Sequence, residues 1–255
     1  MNISNNLLKY AVVDERMSET CKRSLRRYYK LLQLPCNRYF DKPISAHPDL
    51  FLFPYHEGFL IEQRASQILA SLDDKQMFYF TNPIPPESVV RIRGSKKGVV
   101  YPNDCALNFA MCGNHIIGNR QAIHPRIAGL ILKYHWNFIP INQGYAKCNV
   151  CTVSDNALIT EDEGIAKACK SNRIDVLLLK KKVVQLPGYD YGFIGGASSA
   201  PFHAADGTKL FFCGCIEEHP EFEKIRRFCR QYDVLPVSLS NEPLTDYGSI
   251  LPLIR

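Results

Sequence analysis

Short apolar runs, split by polar turns and followed by an amphipathic stretch and a further apolar run, recur along the chain. The clearest instance lies at its centre. Val150 to Val153 is an apolar run, Ser154-Asp155-Asn156 a polar turn, and Ala157-Leu158-Ile159 a second run. That order predicts a strand, a tight connection and a strand. Thr160 is placed to open a helix, with Glu163 as the reciprocal partner of a capping box. Ile165, Ala166 and Cys169 supply its apolar stripe, Asn172 its end, and Ile174 to Leu179 a third strand stopped by Lys180-Lys181-Lys182. The predicted unit is β-β-α-β.

The same order returns on both sides. Leu8 to Val13 predicts a strand, Ser18 a helix cap, and Leu25, Tyr28, Tyr29 and Leu32 a helical stripe, with a strand near Cys36 to Phe40. Leu50 to Phe53 and Phe59 to Ile61 flank the turn Tyr55 to Gly58, ahead of a helix over about Ala65 to Leu72 and a strand at Met77 to Phe80. Thr81 to Val100, proline-rich and then basic, reads as an insertion or surface loop. Cys105 to Met111 and His115 to Ile117 precede a helix with Pro125 at its first position and a strand at Phe138 to Ile141. Past the central unit, Phe193-Ile194 and Lys209 to Cys213 lead to a helix opened by Pro220 and a strand at Val234 to Leu239. The last apolar run is Ile250 to Ile254.

Four units are therefore complete, and a fifth is divided, its leading strand at the C-terminus and its remainder at the N-terminus. A repeat of about 45 residues is in the range of ring and array architectures. Dividing one unit between the termini closes a ring without an open sheet edge. The expectation is an α/β fold: a five-bladed propeller of ββαβ repeats with pseudo-fivefold symmetry, one domain over residues 1–255, its fifth blade closed by the N- and C-termini. The competing reading is an ordinary α/β sheet whose strand-helix alternation only looks periodic.

Composition adds exclusions. A chain of 255 residues with 46% hydrophobic and 22% charged residues is globular rather than disordered. No apolar run is long enough to cross a bilayer, and the N-terminus lacks a signal-peptide layout, so a cytoplasmic protein without membrane partners is expected. The ten cysteines are then reduced thiols, several of them (Cys151, Cys169, Cys229) at apolar positions. The net charge of +6 sits in clusters such as Lys22-Arg23 with Arg26-Arg27, without interleaved aromatics, and no nucleic-acid partner is expected. Cys148-x-x-Cys151 could share a metal only on a turn, and Cys213-x-Cys215 belongs to another unit, so neither metal nor cofactor is expected. His124-Pro125 and His219-Pro220 read as helix caps, and GFIGGASS as close backbone packing rather than a phosphate cradle.

In a ring, the first residues of the leading strands converge near the axis. These are His47, Asp49, Asp104, Lys147, Cys148, Asp190, Tyr191 and Asp246. Together they predict a polar pocket in which Lys147 favours the thiolate of Cys148. The bland alternative is that they cap strand ends and satisfy one another around a narrow wet channel.

GYAKCN (144–149), LPGYDYGFIGGASS (186–199) and LTDYGSILPL (244–253), set on this repeat, resemble the pentein fold of the guanidino-group modifying enzymes, and an uncharacterised bacterial branch of it in particular. The resemblance implies a hydrolase or transferase acting on a small cationic guanidine or amidine compound, arginine-like. A cysteine would attack the guanidinium carbon, carboxylates would grip the charge and histidine would move the proton. It also implies the alternative of a non-catalytic binding protein, for a small ligand or a macromolecular partner. On this reading Cys148 and His47 are the catalytic candidates, and Asp49, Asp104, Lys147, Asp190, Tyr191, Asp246 and Ser249 the substrate-binding ones. One departure stands out: the family's nucleophile lies in the final leading strand, where this chain has Asp246-Tyr247-Gly248-Ser249, and no cysteine follows Cys229. A serine there needs a base, and none is adjacent in sequence.

Overall fold

A computed structural model of the protein describes residues 10–66, 88–92 and 98–253. It contains β1 (Tyr10–Asp14), α1 (Glu19–Leu25), β2 (Lys30–Leu34), the single turn α2 (Pro48–Phe51), β3 (Leu52–Tyr55), β4 (Gly58–Glu62) and β5 (Val89–Val90). There follow β6 (Ala110–Cys112), β7 (His115–Asn119), α3 (Pro125–Tyr134), β8 (Asn137–Ile141), the single turn α4 (Ala146–Asn149), β9 (Cys151–Ser154), β10 (Ala157–Thr160), α5 (Glu163–Ser171) and β11 (Asp175–Leu178). The chain finishes with β12 (Phe202–Ala204), β13 (Gly207–Phe212), α6 (Phe222–Arg230), β14 (Val234–Ser238) and β15 (Leu251–Leu253).

The strands form five three-stranded sheets, and in each the central strand has one antiparallel and one parallel neighbour. One sheet joins the two ends of the chain: β15 pairs antiparallel with β1, Tyr10 opposite Leu253 and Val12 opposite Leu251, while β2 pairs with β1 in parallel. The fold is α/β, as expected.

Alternation along the central strands explains why they read as nearly continuous apolar runs. Successive side chains leave a strand on opposite faces. Leu158 of β10 enters a core with Ile117, Ile139, Ile165 and Cys169, whereas its neighbour Ile159 enters another with Phe212, Ile225 and Cys229. Likewise Phe211 of β13 packs with Val13, Met17 and Leu25 while Leu210 and Phe212 pack with Ile159. Val12 of β1 turns the other way, toward Leu52, Leu60 and Ile116. Each sheet therefore shares apolar contacts with the sheets before and after it, and the last shares them with the first. With both faces covered, neither can be polar.

Several local expectations need correction. The stripe Leu25, Tyr28, Tyr29, Leu32 does not make one helix: α1 stops at Leu25, and Tyr28 and Tyr29 pack edge-on or tilted against Phe202 and Phe211 from the segment just beyond it. The closing strand is consequently Lys30–Leu34, not Cys36 to Phe40. Asp162, not Thr160, caps α5 by accepting from Ile165 N at 2.8 Å; Thr160 is still strand. Val89–Val90, inside the presumed surface loop, pairs in parallel with β4. Beyond Ser66, the helix and strand expected up to Phe80 fall outside the described residues. Ser18 does cap α1, and His124 Nδ1 caps α3. All ten cysteines are free, and among the described residues no helix is long and apolar enough to cross a membrane.

Candidate functional site

The three segments that carried the resemblance meet at one place. The Gly-rich stretch is threaded between α4 and the C-terminal segment: Gly196 N donates to the Cys148 carbonyl at 2.7 Å, and the Gly196 carbonyl accepts from Ser249 N at 2.7 Å. The approach leaves no room for side chains. A Cβ on Gly195 would lie 2.5 Å from the Lys147 carbonyl, and one on Gly196 only 2.0 Å from Asp246 Oδ1. Close packing, not a phosphate cradle, is what these glycines serve.

Around this contact sits a buried polar cluster. Pro48 starts the one-turn helix α2, which carries Asp49 inward, and Asp49 N is tied to the Gly248 carbonyl at 3.1 Å. Asp49 Oδ2 accepts from the Cys148 thiol at 3.2 Å and from the Ser249 hydroxyl at 2.8 Å. Ser249 Oγ also accepts from Lys147 Nζ at 3.0 Å, so a carboxylate absent from the adjacent sequence is brought to Ser249 across the fold. Asp246 is held by Gly248 N at 2.9 Å and Phe193 N at 3.0 Å, with His47 Nδ1 3.8 Å away. Asp49, His47, Asp246, Ser249 and Cys148 are at most 3% exposed; Lys147 is half-buried. Within this cluster two buried atoms have no hydrogen-bond partner: Asp49 Oδ1 and His47 Nε2.

Burial dominates the electrostatics. Desolvation raises the pKa of Asp49 against the pull of Lys147, and desolvation with the neighbouring Asp49 raises Asp246 to about 7. The Cys148 thiol is pushed well above its usual range by desolvation, then by Asp49 and Asp246. This corrects the expected thiolate: Lys147 Nζ is engaged with Ser249 rather than Cys148, and two acids face the sulfur. Desolvation, with Arg16 nearby, depresses His47 to about 3 and leaves it neutral.

Six of the expected residues are thus brought together: His47, Asp49, Lys147, Cys148, Asp246 and Ser249. Asp104 lies apart, bonded to Tyr145 Oη at 2.8 Å and to the Cys105 thiol at 3.3 Å. Asp190 and Tyr191 are exposed, and Tyr191 lies under Lys182. The reason is local: the segment Gly188 to Gly192 leads into no strand, because the leading strand of its sheet begins only at Phe202. Cys151 points into an apolar core with Ile194 and Ala197, away from any shared metal with Cys148. Sequence reasoning missed Asn108. Its Oδ1 accepts from Lys147 N at 2.7 Å, and its Nδ2 donates to the Asp49 carbonyl at 3.1 Å and to Cys148 Sγ at 3.3 Å. A lone amide inside the apolar run Ala106 to Ala110 was the available signal.

A second buried acid fastens the Gly-rich stretch. Glu161 Oε2 accepts from Ile194 N at 3.0 Å, its Oε1 has no partner, and burial raises its pKa to about 7. Above pH 4.5 an unfolded glutamate is ionised while folded Glu161 keeps its proton, so raising the pH toward 7 favours the unfolded chain. Glu161→Gln, which has no charge to bury, is expected to gain stability relative to the parent as pH rises from about 5 to 7. Urea midpoints measured across that range check this; a constant difference would contradict it.

Comparison with known proteins agrees with this architecture. Residues 12–251 match the profile of a family described as a "Family of unknown function (DUF6873)". No curated protein matches the chain. Among solved structures, the chain is similar to DDAH from Pseudomonas aeruginosa, a cysteine-to-serine mutant complexed with citrulline, with a TM-score of 0.50 and 11% identity over 91% of this chain and 92% of that one. It is also similar to SxtG, an amidinotransferase from Microseira wollei in the saxitoxin biosynthetic pathway (TM-score 0.48, 10% identity, 94% and 89% coverage). A third similarity is to a C. jejuni agmatine deiminase (TM-score 0.49, 8% identity, 91% and 88% coverage). The α/β fold is similar to that of the pentein enzymes, as the sequence motifs implied.

Proposed function

The chain belongs to the DUF6873 family, and we propose that this member binds a small guanidine or amidine compound, arginine-like, at the Asp49–Asp246 cluster and transforms it through Cys148. One observation carries the proposal: two buried carboxylates, Asp49 and Asp246, lie close enough to repel one another, and Asp49 Oδ1 has no donor. A guanidinium supplies the missing charge and a fork of N–H donors that fits a carboxylate edge. The DDAH to which the fold is similar was complexed with citrulline, which supports a ligand of this size and polarity.

The chemistry follows from the contacts. Cys148 Sγ forms a bond to the guanidinium carbon as its proton passes to Asp49 Oδ2, 3.2 Å away. The adduct expels ammonia or an amine, which takes up that proton, and water or an acceptor amine then displaces the sulfur. Water makes the protein a hydrolase, an amine makes it a transferase. Neutral His47 is positioned to relay a proton, and Lys147 holds Ser249 in place. In this reading the five sheets are the blades of one pentein ring in a single domain, closed by β1 and β15. Support comes from the shared apolar cores between successive sheets, last to first.

A binding protein without turnover is the second reading, favoured by the absence of any cysteine after Cys229, in the stretch where the resemblance implies the nucleophile, and by the burial of the Cys148 thiol. Calorimetry and assays of ammonia and urea release with a panel of guanidines, in chelator, separate the two. Release that Cys148→Ala abolishes while binding persists supports the enzyme. Binding without release by the parent protein supports the second reading, and no binding by any compound removes both.

A further inference from the structure

We propose that His47, Asp49 and Cys148 form a binding site for a zinc-like divalent cation. This inference stands apart from the guanidine reading and needs no substrate. One ligand atom from each residue lies within 4.8 Å of the others, and all three residues are buried. Tetrahedral zinc, with bonds of about 2.0 Å to nitrogen and oxygen and 2.3 Å to sulfur, needs its ligand atoms about 3.3–3.8 Å apart. The Asp49 Oδ2 to Cys148 Sγ separation is 3.2 Å, close to that range, and a His47 ring nitrogen lies within 4.8 Å of both ligand residues.

Two further observations point to a missing partner. His47 Nε2 and Asp49 Oδ1 are polar atoms sealed from solvent without a hydrogen bond, a state that costs free energy unless something fills it. The surroundings are also those of a metal centre: Asn108 Nδ2 donates to the sulfur at 3.3 Å and Ser249 Oγ to the carboxylate at 2.8 Å, orienting both. A nitrogen–oxygen–sulfur set selects Zn²⁺ or Co²⁺ over Mg²⁺ or Ca²⁺. Three protein ligands leave a fourth position open, the arrangement of reactive rather than purely structural zinc. On binding, the S–H bond is replaced by a sulfur–metal bond and the thiol proton leaves to solvent. Neutral His47 offers its lone pair, and no electron is transferred. Because Asp49 and Cys148 serve both occupants, metal and guanidine exclude one another.

The test is a titration of chelator-treated, full-length protein with Co²⁺ alone. The expected result is one ion per chain, a thiolate-to-cobalt charge-transfer band, and its displacement by Zn²⁺. Cys148→Ser should lose the band, while Cys151→Ser, altered in a neighbouring apolar core, should keep it. His47→Gln, which leaves the thiol in place, should weaken Zn²⁺ binding at least about 100-fold, more than loss of an outer-shell partner does. No band in the parent protein, a band that survives Cys148→Ser, or Zn²⁺ affinity unchanged in His47→Gln would each overturn the site. Guanidine binding measured in chelator is independent of all three, so failure here leaves that reading standing.

Discussion

Asp49→Asn is expected to leave the protein folded and to weaken its hold on a guanidinium ligand by about 30-fold to several thousand-fold. The range is the 2–5 kcal/mol that removal of one partner from a buried charge pair costs. The substitution is close to isosteric. Its amide oxygen can still accept from Ser249 and Cys148, as Oδ2 does now at 2.8 and 3.2 Å. What disappears is the buried charge, which burial already disfavours. Stability should therefore hold or rise while affinity collapses, a pairing that a merely structural aspartate would not give. Calorimetric titration with the best-bound guanidine, beside a thermal melt, reads both quantities. Asp190→Asn, at an exposed position, is the control and should leave binding within about twofold. Equal affinity of Asp49→Asn and the parent would remove Asp49 from the ligand's grip.

Most of the architecture was legible because the strands obey a strict period of two, and their faces belong to different cores. Once Leu158 and Ile159 are seen to serve two neighbours, an uninterrupted apolar run is what a doubly covered strand must look like. The site was legible in part for the same reason. A polar group at the head of such a run, as at Asp49, Lys147-Cys148 and Asp246, cannot enter either core and must find other polar groups. Where sequence and structure part, local pattern is overruled by distant packing. Leu25, Tyr28, Tyr29 and Leu32 carry helical spacing, yet the two tyrosines follow the end of α1 and pack there against Phe202 of β12 and Phe211 of β13. Asp190 and Tyr191 occupy the position of a strand head, but the strand starts after the Gly-rich stretch instead. Sequence adjacency puts a lysine beside Cys148 and so misleads about its protonation. Only the fold shows that Asp49 and Asp246 are the charges that face the sulfur.

Gly248→Ala is expected to cost about 3 kcal/mol and to lower the melting temperature by roughly 6–12 °C. Two terms combine. Gly248 has φ of +68°, in the left-handed region, where a Cβ costs about 1–2 kcal/mol. Its Cβ would also stand 2.2 Å from His47 Cβ and 2.4 Å from His47 Cα, a clash with an element that cannot swing aside. Overpacking of that kind costs about 1–3 kcal/mol. Neighbouring Ser249 is left-handed too, at φ of +69°, and is held there by its bonds to Gly196 and Asp49. The turn cannot relax without releasing them. Gly129 gives the opposite case: it lies exposed within α3, and a Cβ added there would meet nothing within 4 Å. Gly129→Ala should raise stability by about 0.5–1 kcal/mol. Because Gly248 also anchors Asp49 through its carbonyl and Asp246 through its N–H, ligand affinity should fall along with stability. If the Gly248 variant melts within about 2 °C of the parent, the turn does not brace the cluster, and the rigid placement of His47 and Asp49 is lost with it.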